Sequence, residues 1–290
     1  MDFKSVDVDG VEVFYREAGL RGASKLVLLH GFPSSSHQYR NLMRELAPHF
    51  HVVAPDYPGF GASAMPSRTE YPYTFEKTSE IIEAFLERIG FARFGMYLQD
   101  YGGPVGFRII LRRPEWLHWL IVQNANAYEE GFAQAWESLR GEYWKSRAPE
   151  AEKALLAFLE PGTMKAVYTH GHKHPHRISP DTWNMDMHLL ERPGARQVQL
   201  DLLYDDRTNV ALYPRWQAFL RKHQPDTLIF WGQDDFFLRR EAGEAYLRDL
   251  PDAEMHRLES GHFAVEDHLE YISRKMIEFH ERMLEGAWPG

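Results

Sequence analysis

Short apolar runs alternate along the chain with amphipathic stretches and polar turns. Leu26-Val27-Leu28-Leu29 and Val52-Val53-Ala54 are apolar at consecutive positions, the pattern of strands buried on both faces. Further strands are expected over 94–98, 120–122, 227–231 and 254–258. An antiparallel pair ending at Phe14-Tyr15 would turn at Asp9-Gly10. Phe75, Ile81, Ile82, Phe85 and Leu86 fall near helical spacing, which predicts a helix over 74–89 with Thr74 as N-cap and Gly90 as its stop. Helices are also expected over 37–46, 105–111 and 239–250, and a final one including 272–283. Alternating strands and helices predict an α/β fold with a mostly parallel central sheet and helices on both faces.

The character changes after Asn124. Residues 128–223 read as helical and aromatic-rich, with Trp136, Tyr143, Trp144, Trp183 and Trp216, before alternation resumes. The expected organisation is a core over 1–127, a helical insertion over 128–223, and a second part of the core over 224–290.

The 290 residues, 44% hydrophobic and 14% aromatic, suffice for a large buried core. A net charge of -9 and the lack of basic runs argue against nucleic acid and against an anionic membrane surface. No cysteine is present, which excludes disulfides, thiolate nucleophiles and Cys-based metal sites. The opening residues lack the basic-then-apolar pattern of a signal peptide, and no apolar run approaches the ~20 residues of a membrane span. A cytoplasmic location is the expectation.

Four motifs carry candidate chemistry. In 95–104, an apolar strand runs into a tight turn and then a helix opening on Gly102 and Gly103, so Asp100 sits where a sharp strand-to-helix elbow exposes a nucleophile. Read by itself, Asp100 could equally be an N-cap. His30-Gly31-Phe32-Pro33 ends a strand in a turn whose Phe32 N–H, with that of Tyr101, could form an oxyanion hole; Gly-Phe-Pro is also an ordinary turn. Gly232-Gln233-Asp234-Asp235 and Gly261-His262-Phe263 supply an acidic loop and a histidine, each after a strand. The order nucleophile, acid, histidine is the triad order of α/β hydrolases.

These segments, with Asp56-Tyr57-Pro58-Gly59-Phe60-Gly61 and Gln99-Asp100-Tyr101-Gly102-Gly103, resemble the α/β-hydrolase superfamily, in its branch of epoxide hydrolases and haloalkane dehalogenases. The resemblance implies that 128–223 is a cap over an active site. It also implies that the acid is Asp235 rather than Asp234, and that Asp56 belongs to a structural turn.

An aspartate nucleophile is already ionised near neutrality and can displace a leaving group from saturated carbon, giving an alkyl-enzyme ester. His262, oriented by Asp235, would then activate water to hydrolyse it. No metal or organic cofactor is needed; the expected partners are a small apolar substrate and water.

Haloalkane dehalogenases supply a Trp after the nucleophile and often an Asn after His-Gly. Tyr101 and Phe32 stand there, so epoxide hydrolysis is favoured by elimination. The proton donors implied by the resemblance are two cap tyrosines. Tyr143, in Glu142-Tyr143-Trp144, resembles one. The other normally precedes an arginine, but Asp206 precedes Arg207 and Tyr204 lies two residues earlier. Aromatic packing is the alternative role for both tyrosines, and Asp206 could donate only if its pKa were strongly raised. A dehalogenase is the runner-up, and a non-catalytic ligand-binding relative the third reading. His170, His172, His174 and His176 alternate along a stretch where Gly171 and Pro175 suggest a mobile loop; metal binding there is disfavoured for want of nearby carboxylates. Asn124 and Asn126 follow the sixth main strand, where some dehalogenases place a halide or acid partner; a polar strand end is the preferred reading.

Overall fold

The computed structural model describes residues 1–137 and 139–286. Eight strands form one sheet: β1 (Asp2–Val8), β2 (Val11–Ala18), β3 (Ser24–Leu29), β4 (Phe50–Pro55), β5 (Phe94–Gln99), β6 (Leu117–Gln123), β7 (Thr227–Gly232) and β8 (Glu254–Leu258). Their order is β1-β2-β4-β3-β5-β6-β7-β8, with β1–β2 and β2–β4 antiparallel and every later pairing parallel. Asp9 and Gly10, with φ of 52° and 82°, make the turn between β1 and β2.

Strand alternation divides the core in two. Val27, Leu29, Met96 and Leu98 pack on one face with Ile82, Phe85, Val105 and Ile109 from helices Phe75–Arg88 and Gly102–Arg112. Leu26, Leu28 and Tyr97 pack on the other with Leu42, Leu46, Ile272 and Met276. Because both faces are covered, β4, β5 and β7 are buried along their whole length. Thr74 does cap the helix Phe75–Arg88, its hydroxyl accepting from the Lys77 N–H at 3.1 Å.

The stretch read as one helix over 37–46 is broken into a 3₁₀ turn, Ser36–Tyr39, and a short helix, Leu42–Leu46. The Ser36 N–H is held by Asp56 Oδ1 at 2.7 Å and Ser35 caps the turn, so this entry is tied to a distant loop that local pattern does not reveal.

Between β6 and β7 the chain runs through helical elements from Glu129 to His223, including Pro149–Leu156, Pro161–Thr169, Asp181–Leu190, Ala195–Asp205 and Arg207–His223. Residues of this segment meet the loops that follow β4 and β8. Tyr168 stacks on Phe263 with ring centroids 3.9 Å apart, and Arg192 donates to the carbonyls of Gly61 and Ser63. No helix among the described residues is long and apolar enough to cross a membrane.

Candidate active site

β5 ends at Gln99 and the helix Gly102–Arg112 begins three residues on, so the chain reverses within Asp100 and Tyr101. Asp100 takes a left-handed φ of 47°, a conformation that costs a non-glycine residue about 1–3 kcal/mol and so must be held by its surroundings. Its N–H donates to the Asn124 carbonyl at the end of β6, at 3.1 Å. Glycine is required on either side: a Cβ on Gly102 would sit 2.2 Å from the Leu29 carbonyl, and one on Gly31 would sit 2.4 Å from the Asp100 Cβ.

The Asp100 carboxylate does not cap its own helix. Oδ1 accepts the Phe32 N–H at 2.6 Å, the Tyr101 N–H also points at the carboxylate, and Oδ2 lies 3.6 Å from His262 Nε2. His262 Nδ1 in turn lies 2.7 Å from Asp235 Oδ2. The other Asp235 oxygen accepts the N–H groups of Phe237 and Leu238 at 2.7 and 3.2 Å. Residues 100, 235 and 262, along with the two predicted backbone donors at 32 and 101, are thus brought to one place by the ends of β3, β5, β7 and β8.

Burial raises the Asp100 carboxyl above its usual range, against the pull of His262 and of the two N–H donors. Burial lowers the His262 imidazole, but Asp235 and then Asp100 outweigh it, and the net direction is upward from 6.5. An ionised carboxylate, two converging N–H groups and an imidazole with its far nitrogen anchored can support attack by a carboxylate, followed by attack of water on the resulting acyl carbon.

Two contributors were not assigned roles from sequence. Asn124, at φ 42°, donates to Asp235 Oδ2 at 2.7 Å and to the Gly232 carbonyl at 3.1 Å, and accepts the Gly232 N–H at 2.8 Å. It is more than a polar strand end: it clamps the acidic loop to β6. Gln99 places its amide nitrogen 3.0 Å from His262 Nε2, while its oxygen accepts from Gln38 at 3.2 Å. Adjacency to Asp100 and to the strand end was the available signal for each.

A cavity opens over Asp100, lined mainly by apolar groups including Phe32, Trp136, Leu139, Leu155, Leu203 and Phe237. A second, smaller space shares Asp100, Tyr101 and Trp136, but its wall is polar at Asn126, Asp206, Asn209 and Tyr213.

Tyr143 and Tyr204 pack on each other, with ring centroids 5.6 Å apart. The Tyr143 hydroxyl donates to the Leu200 carbonyl at 2.9 Å inside the helical segment, and the Arg207 guanidinium covers the Tyr204 ring at 3.7 Å. Neither residue lines either space beside Asp100. The histidine tract also differs from the free loop expected. Gly171 packs against Asp234, and buried His172 lies 2.7 Å from Asp267. Among the described residues no group of three His, Asp or Glu side chains is arranged to hold a metal.

Comparison with known proteins agrees with this architecture. The chain is 39% identical over 272 residues to an uncharacterized hydrolase of Saccharomyces cerevisiae, covering 93% of each chain. It is 26% identical to a haloalkane dehalogenase of Bradyrhizobium diazoefficiens, over 95% of this chain and 93% of that one. It is 23% identical to epoxide hydrolase 3 of Mus musculus, over 96% and 76%. A solved epoxide hydrolase, CorEH, superposes with a TM-score of 0.77 at 18% identity, covering 97% of this chain and 99% of that one. The sequence pattern of the α/β hydrolase fold matches residues 25–269, and with the sheet and relatives above this makes the chain a member of the α/β-hydrolase family, a hydrolase close to haloalkane dehalogenases and epoxide hydrolases.

Proposed function

We propose that this hydrolase converts apolar epoxides to diols through a covalent ester on Asp100. The observation that carries the reading is the carboxylate itself: held on a left-handed turn, gripped by the Phe32 N–H and facing His262. The carboxylate attacks an epoxide carbon, the C–O bond breaks, and the departing oxygen takes a proton. His262 then removes a proton from water, which attacks the Asp100 acyl carbon. The oxyanion is met by the Phe32 and Tyr101 N–H groups, each worth about 3–4 kcal/mol in comparable sites. Collapse expels the diol oxygen, which takes the proton from His262. Asp235, anchored by Asn124, holds the imidazole and stabilises its charged form. The helical segment serves as a cap whose apolar side chains close the site from water.

The fate of N–H donors favours an epoxide over a halide. A leaving halide needs donors aimed at it. Phe32 has no side-chain donor, and Trp136, the one indole lining the cavity among the described residues, gives its N–H to the Phe237 carbonyl at 2.8 Å. A dehalogenase is the second reading, favoured by the Tyr101 hydroxyl, which has no hydrogen-bond partner among the described residues, and by the dehalogenase relative.

The test is turnover of a panel of apolar epoxides and haloalkanes in heavy-oxygen water. Diol formation, with label entering the Asp100 carboxylate over repeated turnovers, is expected. Halide release without diol formation would select the dehalogenase, and diol formation with an unlabelled Asp100 would reject the covalent route.

A further inference from the structure

Opening an epoxide leaves an oxygen that must be protonated, and neither tyrosine expected to do this lines the spaces beside Asp100. The polar space beside Asp100 supplies a different group. Asp206 is buried on its wall, at the junction of helices Ala195–Asp205 and Arg207–His223.

The bonding around Asp206 assigns its two oxygens different tasks. The buried Arg108 guanidinium donates to Asn209 Oδ1 at 2.6 Å, so the Asn209 amide nitrogen must face the other way, and it donates to Asp206 Oδ1. Oδ1 is therefore an acceptor. Oδ2 has no hydrogen-bond partner among the described residues. The Tyr101 hydroxyl, also on this wall, is buried and equally without one. A buried hydroxyl left unpaired costs about 1–3 kcal/mol, so Tyr101 calls for a polar partner in the space that also holds the attacking carboxylate and Asp206.

We propose that Asp206, protonated on Oδ2, donates its proton to the epoxide oxygen as Asp100 attacks, with the Tyr101 hydroxyl as a second contact to that oxygen. This rests on the epoxide reading and extends it: the apolar part of the substrate occupies the larger cavity and the oxygen turns toward the polar one. The step balances. Asp100 forms the C–O ester bond, the ring C–O bond breaks, and the proton leaves Asp206 as a carboxylate. After hydrolysis Asp100 carries a proton, whose passage to Asp206 restores both groups.

The protonation state required agrees with the surroundings. Burial pushes the Asp206 carboxyl up to about 7; Asn209 pulls it down, Asp100 and Asp205 push it up, and Arg108 pulls it down. The remaining polar groups of that wall, Tyr101, Tyr213 and Asn126, are neutral.

Single-turnover ester formation, followed by rapid quench and intact mass, tests the role. In the wild-type enzyme the rate is expected to fall as pH rises through about 7, because the acid is lost. Asp206→Asn keeps size and the ability to accept from Asn209 but cannot act as an acid. It is expected to slow ester formation about 100-fold or more and to abolish that falling limb, with a far smaller effect on ester hydrolysis. Ester formation in Asp206→Asn within threefold of wild type would overturn the assignment while leaving the epoxide reading intact. If the variant does not fold, a wild-type rate of ester formation that stays level as pH rises through about 7 overturns it instead. A wild-type enzyme that forms no ester with any epoxide overturns both.

Discussion

Removing the Asn124 side chain strands two groups at once: Asp235 Oδ2 loses an amide donor, and the Gly232 N–H loses its acceptor. Asn124→Ala is therefore expected to lower stability by about 1–3 kcal/mol, read as a shift in the urea midpoint. It should also slow ester hydrolysis more than ester formation, because Asp235 acts through His262; equal slowing of both steps would argue against that route. The pH dependence of ester hydrolysis follows from His262. Burial lowers the imidazole, Asp235 and Asp100 raise it further, and its net pKa lies above 6.5. In the proposed reaction the neutral ring is the base, so breakdown of the ester should accelerate as pH rises through the imidazole pKa. Esterification removes the Asp100 charge, one of the two that raise the ring, so this midpoint should lie below the His262 pKa of the free enzyme. A stopped-flow midpoint above the free-enzyme value would contradict the coupling of His262 to Asp100.

The helix Phe75–Arg88 is held at its start from two sides. Thr74 accepts the Lys77 N–H, and Asp205, at the end of a helix of the inserted segment, accepts the Phe75 N–H at 2.8 Å. Thr74→Ala should cost about 1 kcal/mol in denaturant unfolding and leave turnover unchanged. Asp205→Ala should cost a similar amount, but should also alter turnover, because its neighbour Asp206 lines the site. Elements such as this helix were legible because apolar spacing and the cap are local. β3 and β5 were legible because burial on both faces writes a continuous apolar run. The break within 36–46 was not, since it depends on Asp56, some twenty residues away. Nor was the docking of the His170 loop, which depends on contacts with Asp234 and Asp267.

At the scale of the whole molecule, the sheet gathers four strand ends under a helical segment, and the cavity between them sets what can reach Asp100. Leu203→Trp would fill part of that space and should reduce kcat/KM for bulky epoxides about tenfold or more while sparing small ones. The motifs at 32, 100, 235 and 262 were readable because each follows a strand and the order of the strands fixes their meeting place. The packing of Tyr143 and Tyr204 was not. It depends on the Leu200 carbonyl and on Arg207, which no motif encodes. Everything assigned to the site turns on Asp100 forming a bond to carbon. His262→Gln should form that ester and fail to hydrolyse it, so intact mass after exposure to an epoxide should rise by the mass of the substrate, with peptide mapping placing the addition on Asp100. An unmodified variant, or an addition on any other residue, from a wild-type enzyme that turns the same epoxide over would contradict the account.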